Sequence, residues 1–329
     1  MRVKRWILLS VAGVIICSMG FVLTILNVQP LQGIALVLAG SAGVWVSFRK
    51  IIKSVVTALL PQREHELVNI MFQKRHSTRG PRVVVIGGGS GLSVLLHGLK
   101  EFTSNITAVV TVADDGGSSG RLRSQFDMPA PGDIRNCLVA LADAEPLMSE
   151  LFQFRFKESG ELEGHSFGNL FILAMLKVTG DFDKAIKESS KILAIRGRVV
   201  PSTLKEVTLV ARHTDGTQTS GETAIAKARV PIRKLSLEPE NCAASEDALA
   251  AIHDAEVIVL GPGSLYTSIL PNLLIEDIAD AIARANVPKI YICNVMTQPH
   301  ETDHFTAFNH VNVIAEHTHP EIIVLKLFN

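Results

Sequence analysis

Two glycine-rich runs contain the residues best suited to bind an anion, and the first lies near residue 87. It follows the β-branched run Arg82–Ile86, precedes the apolar segment Leu92–Leu99, and consists of Gly87, Gly88, Gly89, Ser90 and Gly91. A glycine turn between a strand and a helix presents backbone N–H groups to a phosphate. The spacing matches neither the dinucleotide fingerprint nor a P-loop. The run therefore predicts either a phosphate site or a tightly packed turn.

The second run follows the apolar segment Ile106–Ala113 and adds charged side chains. Adjacent carboxylates at Asp114 and Asp115 are suited to hold Mg²⁺ or, in an enzyme, to act as catalytic groups. The residues expected to donate to phosphate oxygens or to neutralise them are Ser118, Ser119, Gly120, Arg121 and Arg123. The alternative is an Asp-rich turn that caps the next helix.

Further polar groups follow other predicted strands or precede predicted helices. Because ligands bind beyond the carboxyl ends of parallel strands, these groups are expected at the same edge of the sheet. The candidates are Gly132, Asp133, Asn169, Gly261, Gly263, Ser264, Tyr266, Asn294 and Thr297. Asp133 alternatively serves as a helix N-cap. His165 and Ser166 precede the same helix as Asn169 and are expected near the cleft.

The histidines offer a metal interpretation with a simpler alternative. His300 and His304 are four residues apart and would share one face of a helix. No carboxylate–histidine arrangement of a known metal type accompanies them, so histidines on the rim of a cleft are the simpler prediction. The four cysteines have no C-x-x-C spacing, which favours buried thiols in a reducing compartment over a zinc site.

Alternating strands and helices must position these groups. Strands are predicted at Arg82–Ile86, Ile106–Ala113, Val257–Leu260, Lys289–Val295 and Ile322–Leu327. Helices are predicted at Leu92–Leu99, Ile134–Ala144, Leu147–Phe156, Phe167–Val178, Phe182–Leu193 and Ile278–Ala285. The pattern predicts an α/β, Rossmann-like fold with a mainly parallel sheet and helices on both faces. Alternation within residues 200–237 predicts an antiparallel insertion. The formal net charge of zero argues against a nucleic-acid binder.

The first 50 residues read as a transmembrane helical hairpin. The uncharged run Trp6–Leu26 is long enough to span about 30 Å of hydrocarbon, and a second apolar run covers Leu31–Phe48. Pro30 is expected in the turn, and basic residues flank only the outer ends, which predicts a cytoplasmic location for both termini. The alternative is a signal peptide. The predicted organisation is a hairpin at 1–50, a juxtamembrane helix (Ile51–Leu60) and linker at 51–81, and a nucleotide-binding domain at 82–329.

Five ordered motifs from Arg82 onward resemble the 2-phospho-L-lactate transferase-like (CofD-like) family, in its gluconeogenesis-factor (YvcK-type) branch. The motifs are Thr111–Arg123, Pro131–Asn136, Gly168–Leu170, Gly261–Ser268 and Cys293–Pro299. The resemblance implies a Rossmann-like fold that binds a UDP-sugar of the UDP-N-acetylglucosamine type or another diphosphate nucleotide, with Mg²⁺ as a further cofactor. It implies a regulator of cell shape and cell-wall precursor supply, with a protein partner in that synthesis, and we expect a homo-oligomer.

The same resemblance leaves two other functions open. The transferase branch moves a phospholactyl-type group from a guanosine diphosphate conjugate to a deazaflavin alcohol with Mg²⁺. A dinucleotide oxidoreductase is the third hypothesis, against which the glycine spacing argues. The hairpin, the histidines at 300 and 304 in place of glycine, and Phe308-Asn309 in place of Ser-Asp depart from the branch as it is usually found. Relatives usually continue beyond the last strand, which predicts a truncated C-terminus.

Overall fold

The computed structural model describes residues 3–27, 30–59, 79–143, 146–157, 159–322 and 325–327. The chain divides into two compact units, residues 1–74 and 75–329. Most of the predicted linker lies outside the described residues.

The first unit is a pair of apolar helices, α1 (Val3–Ile25) and α2 (Pro30–Leu59). Gly20 faces Gly33, and Gly13 faces Gly40. At each of these four positions an added Cβ would lie 2.6 to 3.0 Å from the carbonyl oxygen of the facing glycine. Glycines therefore let the two helices approach closely, as small residues do in membrane helix pairs. Gly43 differs, because the nearest atom to an added Cβ there is 3.9 Å away.

Two expectations about this unit were wrong. Pro30 is the first residue of α2 rather than part of the turn, a position where its missing N–H costs nothing. The predicted juxtamembrane helix from Ile51 is the continuation of α2, which runs without a break to Leu59. No glycine or proline interrupts residues 44–59, and Pro61 follows the end of the helix.

The second unit opens with strands and helices in alternation. Its first half contains β1 (Val83–Gly87), α3 (Gly89–Leu99), β2 (Ile106–Val110), α4 (Gly117–Phe126), α5 (Gly132–Leu141), α6 (Pro146–Gln153), α7 (Phe167–Thr179), α8 (Phe182–Ile192) and β3 (Arg198–Pro201). Its second half contains β4 (Thr208–His213), β5 (Gln218–Ser220), α9 (Glu222–Lys227), β6 (Ile232–Glu238), α10 (Glu246–His253), β7 (Val257–Leu260), a π-helical turn (Leu265–Ile269), α11 (Leu270–Leu273), α12 (Glu276–Arg284), β8 (Lys289–Ile292), α13 (Ala307–His317), a 3₁₀ turn (Pro320–Ile322) and β9 (Leu325–Leu327).

Six parallel strands form the main sheet in the order β3-β2-β1-β7-β8-β9. Every residue of β1 and β2 is buried, as expected of β-branched strands in the middle of a parallel sheet. The strand order reverses between β1 and β7, and ligands bind in the crevice at such a switch point. The fold is therefore the predicted Rossmann-like α/β arrangement with a mainly parallel sheet.

A separate antiparallel sheet, β5-β4-β6, forms the predicted insertion. Its predicted start was wrong. Residues Arg198–Pro201 form β3 of the main sheet, paired with β2. Within the insertion, residues Glu222–Lys227 form helix α9 rather than strand, and β6 starts only at Ile232.

Candidate functional site

The predicted loops meet at one edge of the main sheet, because β1, β2, β7 and β8 are parallel and the loops follow their carboxyl ends. Asn272 ties two of these loops together, since its Nδ2 donates to the Gly87 carbonyl at 3.2 Å and to the Ser268 carbonyl at 2.8 Å. The sequence analysis missed this residue. The edge is therefore a single candidate site built by several distant segments.

The glycines of the first turn are required by packing within the chain. A Cβ on Gly88 would lie 2.5 Å from Thr111 Cγ2 and 2.6 Å from Asp133 Oδ2. A Cβ on Gly91 would lie 3.0 Å from the Pro262 carbonyl. Gly89 has a φ of +67°, a conformation that glycine adopts readily. The prediction of a tightly packed turn is thus confirmed. Ser90 is exposed at the start of α3.

Asp133 already uses a donor of that turn. Its Oδ2 accepts the Gly89 N–H at 2.7 Å. Burial raises the pKa of Asp133 to about 6, the charge of Asp114 adds to the shift, and the Gly89 hydrogen bond opposes it. The N-cap alternative for Asp133 was wrong, because Pro131 is the N-cap of α5 and Asp133 lies in its first turn. A phosphate bound to the Gly89 N–H would have to displace this carboxylate.

Asp114 and Asp115 are held by different elements. Asp114 Oδ1 accepts the Gly116 N–H at 2.8 Å, whereas Asp115 Oδ1 accepts the Thr223 N–H of α9 at 2.8 Å. Among the described residues, no group of three or more His, Cys, Asp or Glu side chains is arranged to hold a metal ion. The pair therefore offers hard oxygen ligands of the kind Mg²⁺ prefers, but without a converged set of them.

A buried hydroxyl–amide network lies beside Asp114. Helix α4 starts at Gly117, so Ser118 and Ser119 lie buried in its first turn rather than in an open loop. Asn169 Nδ2 donates to Ser118 Oγ at 3.1 Å, and Ser118 Oγ lies 3.0 Å from His165 Nδ1. Asn169 Oδ1 has no hydrogen-bond partner. The structure thus brings together Ser118, His165 and Asn169, as the sequence predicted.

The arginines of the second run are engaged elsewhere. Arg123 is buried and pairs with Glu206 at 2.8 Å and with Thr208 at 2.9 Å, so its predicted role in neutralising phosphate was wrong. Arg121 is exposed and donates to the Glu163 carbonyl. Neither pairing has a local sequence signal, because the partners lie 42 to 85 residues away.

The loop after β7 is hydrogen-bonded to two residues that follow β8, one of them a carboxylate. Ser264 Oγ donates to Glu301 Oε2 at 2.8 Å, and Asn294 Nδ2 donates to the Gly263 carbonyl at 2.9 Å. Burial raises the pKa of Glu301, and the Ser264 hydrogen bond opposes the shift. Tyr266 is only 2% exposed, so its side chain lies in the core rather than in an open cleft. Thr297 is exposed.

The predicted helix face shared by His300 and His304 was wrong. Both residues lie in turns with positive φ, 68° and 61° respectively, a conformation that glycine adopts more readily than histidine. The positive φ angles explain why the family resemblance leads one to expect glycine at both positions. His317 accepts the Leu235 N–H at 3.0 Å and packs edge-on against Tyr266.

Glu222 is a site residue that the sequence analysis missed. Burial raises its pKa to about 9, and the charges of Asp114, Asp133 and Asp115 add to the shift. Its Oε2 is buried without a hydrogen-bond partner. Gly221 before it, with a φ of +95°, was recognisable as a turn, but nothing in the sequence links that turn to Asp115, 106 residues earlier.

Comparisons with known proteins agree with the family resemblance of the sequence motifs. The family model for 2-phospho-L-lactate transferase CofD matches residues 83–328. The gluconeogenesis factor of Bacillus subtilis is 51% identical over 72% of this chain and 75% of its own length. A crystal structure of protein BH3568 from Bacillus halodurans, at 51% identity, superposes with a TM-score of 0.73 over 75% of this chain and 79% of that one.

Two further relatives, both named "Putative gluconeogenesis factor", align with nearly the whole chain. The Nostoc sp. protein is 47% identical over 95% of this chain and 74% of its own. The Clostridium acetobutylicum protein is 41% identical over 100% of this chain and 76% of its own. The N-terminal helices thus fall within the region aligned with the Clostridium relative, whereas the Bacillus subtilis alignment covers only 72% of this chain.

Proposed function

Because this chain belongs to the CofD family, in its gluconeogenesis-factor branch, we propose that it binds a UDP-sugar of the UDP-N-acetylglucosamine type. The bound protein acts as a regulator that supports cell shape and the supply of cell-wall precursors, with a protein partner in that synthesis and as a homo-oligomer. The observation that carries the proposal is the crevice between β1 and β7, where glycine turns and a hydroxyl–amide network lie at the same edge.

The two ends of the crevice favour different parts of such a ligand. The glycine turns carry backbone donors suited to the diphosphate, at Gly88–Gly91 and Gly261–Ser264. The network of Ser118 and Asn169 carries hydroxyl and amide groups suited to sugar hydroxyls. Asp133 and Glu301 accept hydrogen bonds from donors of the two turns, so phosphates bound there would replace these carboxylates as acceptors.

The N-terminal unit supports a location at the membrane. Both helices are long and apolar enough to span a bilayer, although a signal sequence near an N-terminus meets the same criterion. Lys50 Nζ lies 5.7 Å from the Trp6 ring centre, and the Arg49 guanidinium lies 4.8 Å from that of Trp45. Tryptophans and cations thus gather at one end of the hairpin, the arrangement typical of a cytoplasmic membrane interface.

Isothermal titration calorimetry tests whether the chain binds the proposed ligand. The full chain in detergent micelles is titrated with UDP-N-acetylglucosamine, with GDP and NAD as comparison ligands. Saturable binding of the UDP-sugar is the expected result. Absence of heat from a chain that circular dichroism shows to be folded would end the proposal. Reporter fusions after Leu59 test the topology, and a cytoplasmic reporter with an uncleaved N-terminus is expected.

A transferase is the second candidate, favoured by the description of the matching family model. In that reaction Asp114 or Asp115 would take the proton of the acceptor alcohol or hold Mg²⁺ with the nucleotide. The divergent hydrogen bonds of the two carboxylates are the feature that fits this candidate least well. The test is to incubate the chain with a deazaflavin alcohol, the guanosine diphosphate conjugate and Mg²⁺ and to analyse the products by mass spectrometry. No phospholactyl product is expected.

A further inference from the structure

Helix α9 holds Glu222 at the wall of the crevice. The Thr223 N–H donates to Asp115 Oδ1 at 2.8 Å. A Cβ on Gly221 would lie 2.2 Å from Asp115 Oδ2, so only glycine permits this approach. Glu222 is thereby fixed next to the loop that carries Asp114, although α9 belongs to the antiparallel insertion and not to the main sheet.

Two buried oxygens at this wall lack hydrogen-bond donors. Glu222 Oε2 has none, and neither has Oδ1 of Asn169, a side chain that is only 2% exposed. Buried polar atoms are nearly always paired, so each unpaired one calls for an explanation. Hydroxyl groups of a bound ligand, which both donate and accept hydrogen bonds, can pair with both atoms.

Short contacts connect the side chain of Asn169 and the helix of Glu222 to the loop that carries Asp114. Asn169 Nδ2 lies 3.5 Å from Ser119 Oγ. Ser119 Oγ and Asp114 Oδ2 both adjoin Gly132, at 2.4 and 2.8 Å from the position that a Cβ would take there. On the other side, a Cβ on Gly116 would lie 3.2 Å from both Asp114 Oδ1 and Oγ1 of Thr223, the residue that follows Glu222. Asn169, Asp114 and Glu222 therefore line one continuous polar wall.

The charge of this wall selects between parts of a ligand. Phosphate oxygens carry no hydrogens to donate and are repelled by neighbouring carboxylates. Sugar hydroxyls donate and accept, and they carry no charge. We propose that Glu222, together with Asn169, binds hydroxyl groups of the sugar and so makes the site prefer a nucleotide sugar over the bare nucleoside diphosphate. This inference rests on the proposed function.

The test compares two ligands on matched variants of the full chain. UDP-N-acetylglucosamine and UDP are titrated into the wild type, Glu222→Ala, Glu222→Gln and Glu240→Ala. Glu240 is an exposed glutamate of the same insertion and serves as the control. Glu222→Ala is expected to weaken UDP-N-acetylglucosamine binding about 10-fold or more with UDP binding unchanged, which corresponds to about one lost hydrogen bond. Glu222→Gln keeps most of the affinity, because its amide also donates and accepts.

Each contrary outcome has a distinct meaning. Suppose the wild type binds UDP-N-acetylglucosamine, but Glu222→Ala binds it equally well or loses the same affinity for UDP. Either result overturns this inference and leaves the proposed function standing. A loss in Glu222→Gln as large as in Glu222→Ala also overturns it, because a negative charge rather than a hydrogen bond would then be required. Failure of the wild type to bind either ligand overturns the proposed function as well. If Glu222→Ala does not fold, the near-isosteric Glu222→Met replaces it in the same comparison.

Discussion

The two glycine turns at the edge of the sheet look alike in the sequence and differ in what holds them. At the first, a backbone N–H of Gly89 donates to Asp133, and the missing side chain of Gly88 makes room for that carboxylate. At the second, a side-chain hydroxyl of Ser264 donates to Glu301. A hydroxyl can rotate towards a ligand, whereas a backbone N–H cannot. The second turn is therefore the easier one for a phosphate to occupy.

The largest effect on the stability of the chain is expected from filling the space at Gly88, in the first turn. Gly88→Ala pushes a methyl group against Thr111 and Asp133, and we expect a loss of about 3 kcal/mol in the free energy of unfolding. The matched control is Gly98→Ala in α3, where no atom lies within 4 Å and a gain of about 0.5–1 kcal/mol is expected. Urea unfolding of both variants measures the difference. Equal stabilities would show that the first turn is not closed by Asp133.

The pH dependence of stability reports on Asp133 directly. Its pKa is about 6 in the folded chain and near 3.9 when unfolded, so the folded state holds the proton more tightly between these values. Stability should fall as pH rises from about 4 to 6, by roughly 2–3 kcal/mol from this group. Asp133→Asn should remove that part of the slope. An unchanged slope in urea unfolding at several pH values would contradict the assignment.

Removing the hydroxyl at the second turn should have a smaller effect. Ser264→Ala deprives Glu301 of a hydrogen bond, and a loss of about 1–2 kcal/mol in unfolding free energy is expected. The pKa of Glu301, already raised by burial, should rise further and can be followed by NMR titration. A larger loss than that of Gly88→Ala would reverse the order of the two turns.

The smallest change in stability is expected in the turns that contain His300 and His304, on either side of Glu301. His300 has a positive φ, so His300→Gly is expected to stabilise the chain by about 0.5–1 kcal/mol, while Glu301 keeps its contact with Ser264. His304→Gly should behave in the same way. Thermal unfolding measures the gain. Destabilisation by either change would mean that the histidine side chain holds the second turn in place.

Local patterns were sufficient to predict five of the six strands that the structure describes in the main sheet, all but β3, and the edge where the loops meet. The strand Val257–Leu260 has the predicted bounds, because a short β-branched run between turn residues has few alternatives. The partners of the polar groups could not be predicted in this way. Arg123 meets Glu206 across 83 residues, and Gly89 meets Asp133 across 44. Such pairs depend on the packing of distant elements, for which a single sequence has no local signal.

The central claim is that the crevice between β1 and β7 binds a nucleotide sugar, and a crystal structure with UDP-N-acetylglucosamine tests it most directly. The account predicts the diphosphate within hydrogen-bond distance of the Gly261–Ser264 turn. It also predicts sugar hydroxyls against Asn169 and Glu222. A ligand bound elsewhere, or an empty crevice at saturating ligand concentration, would contradict the account.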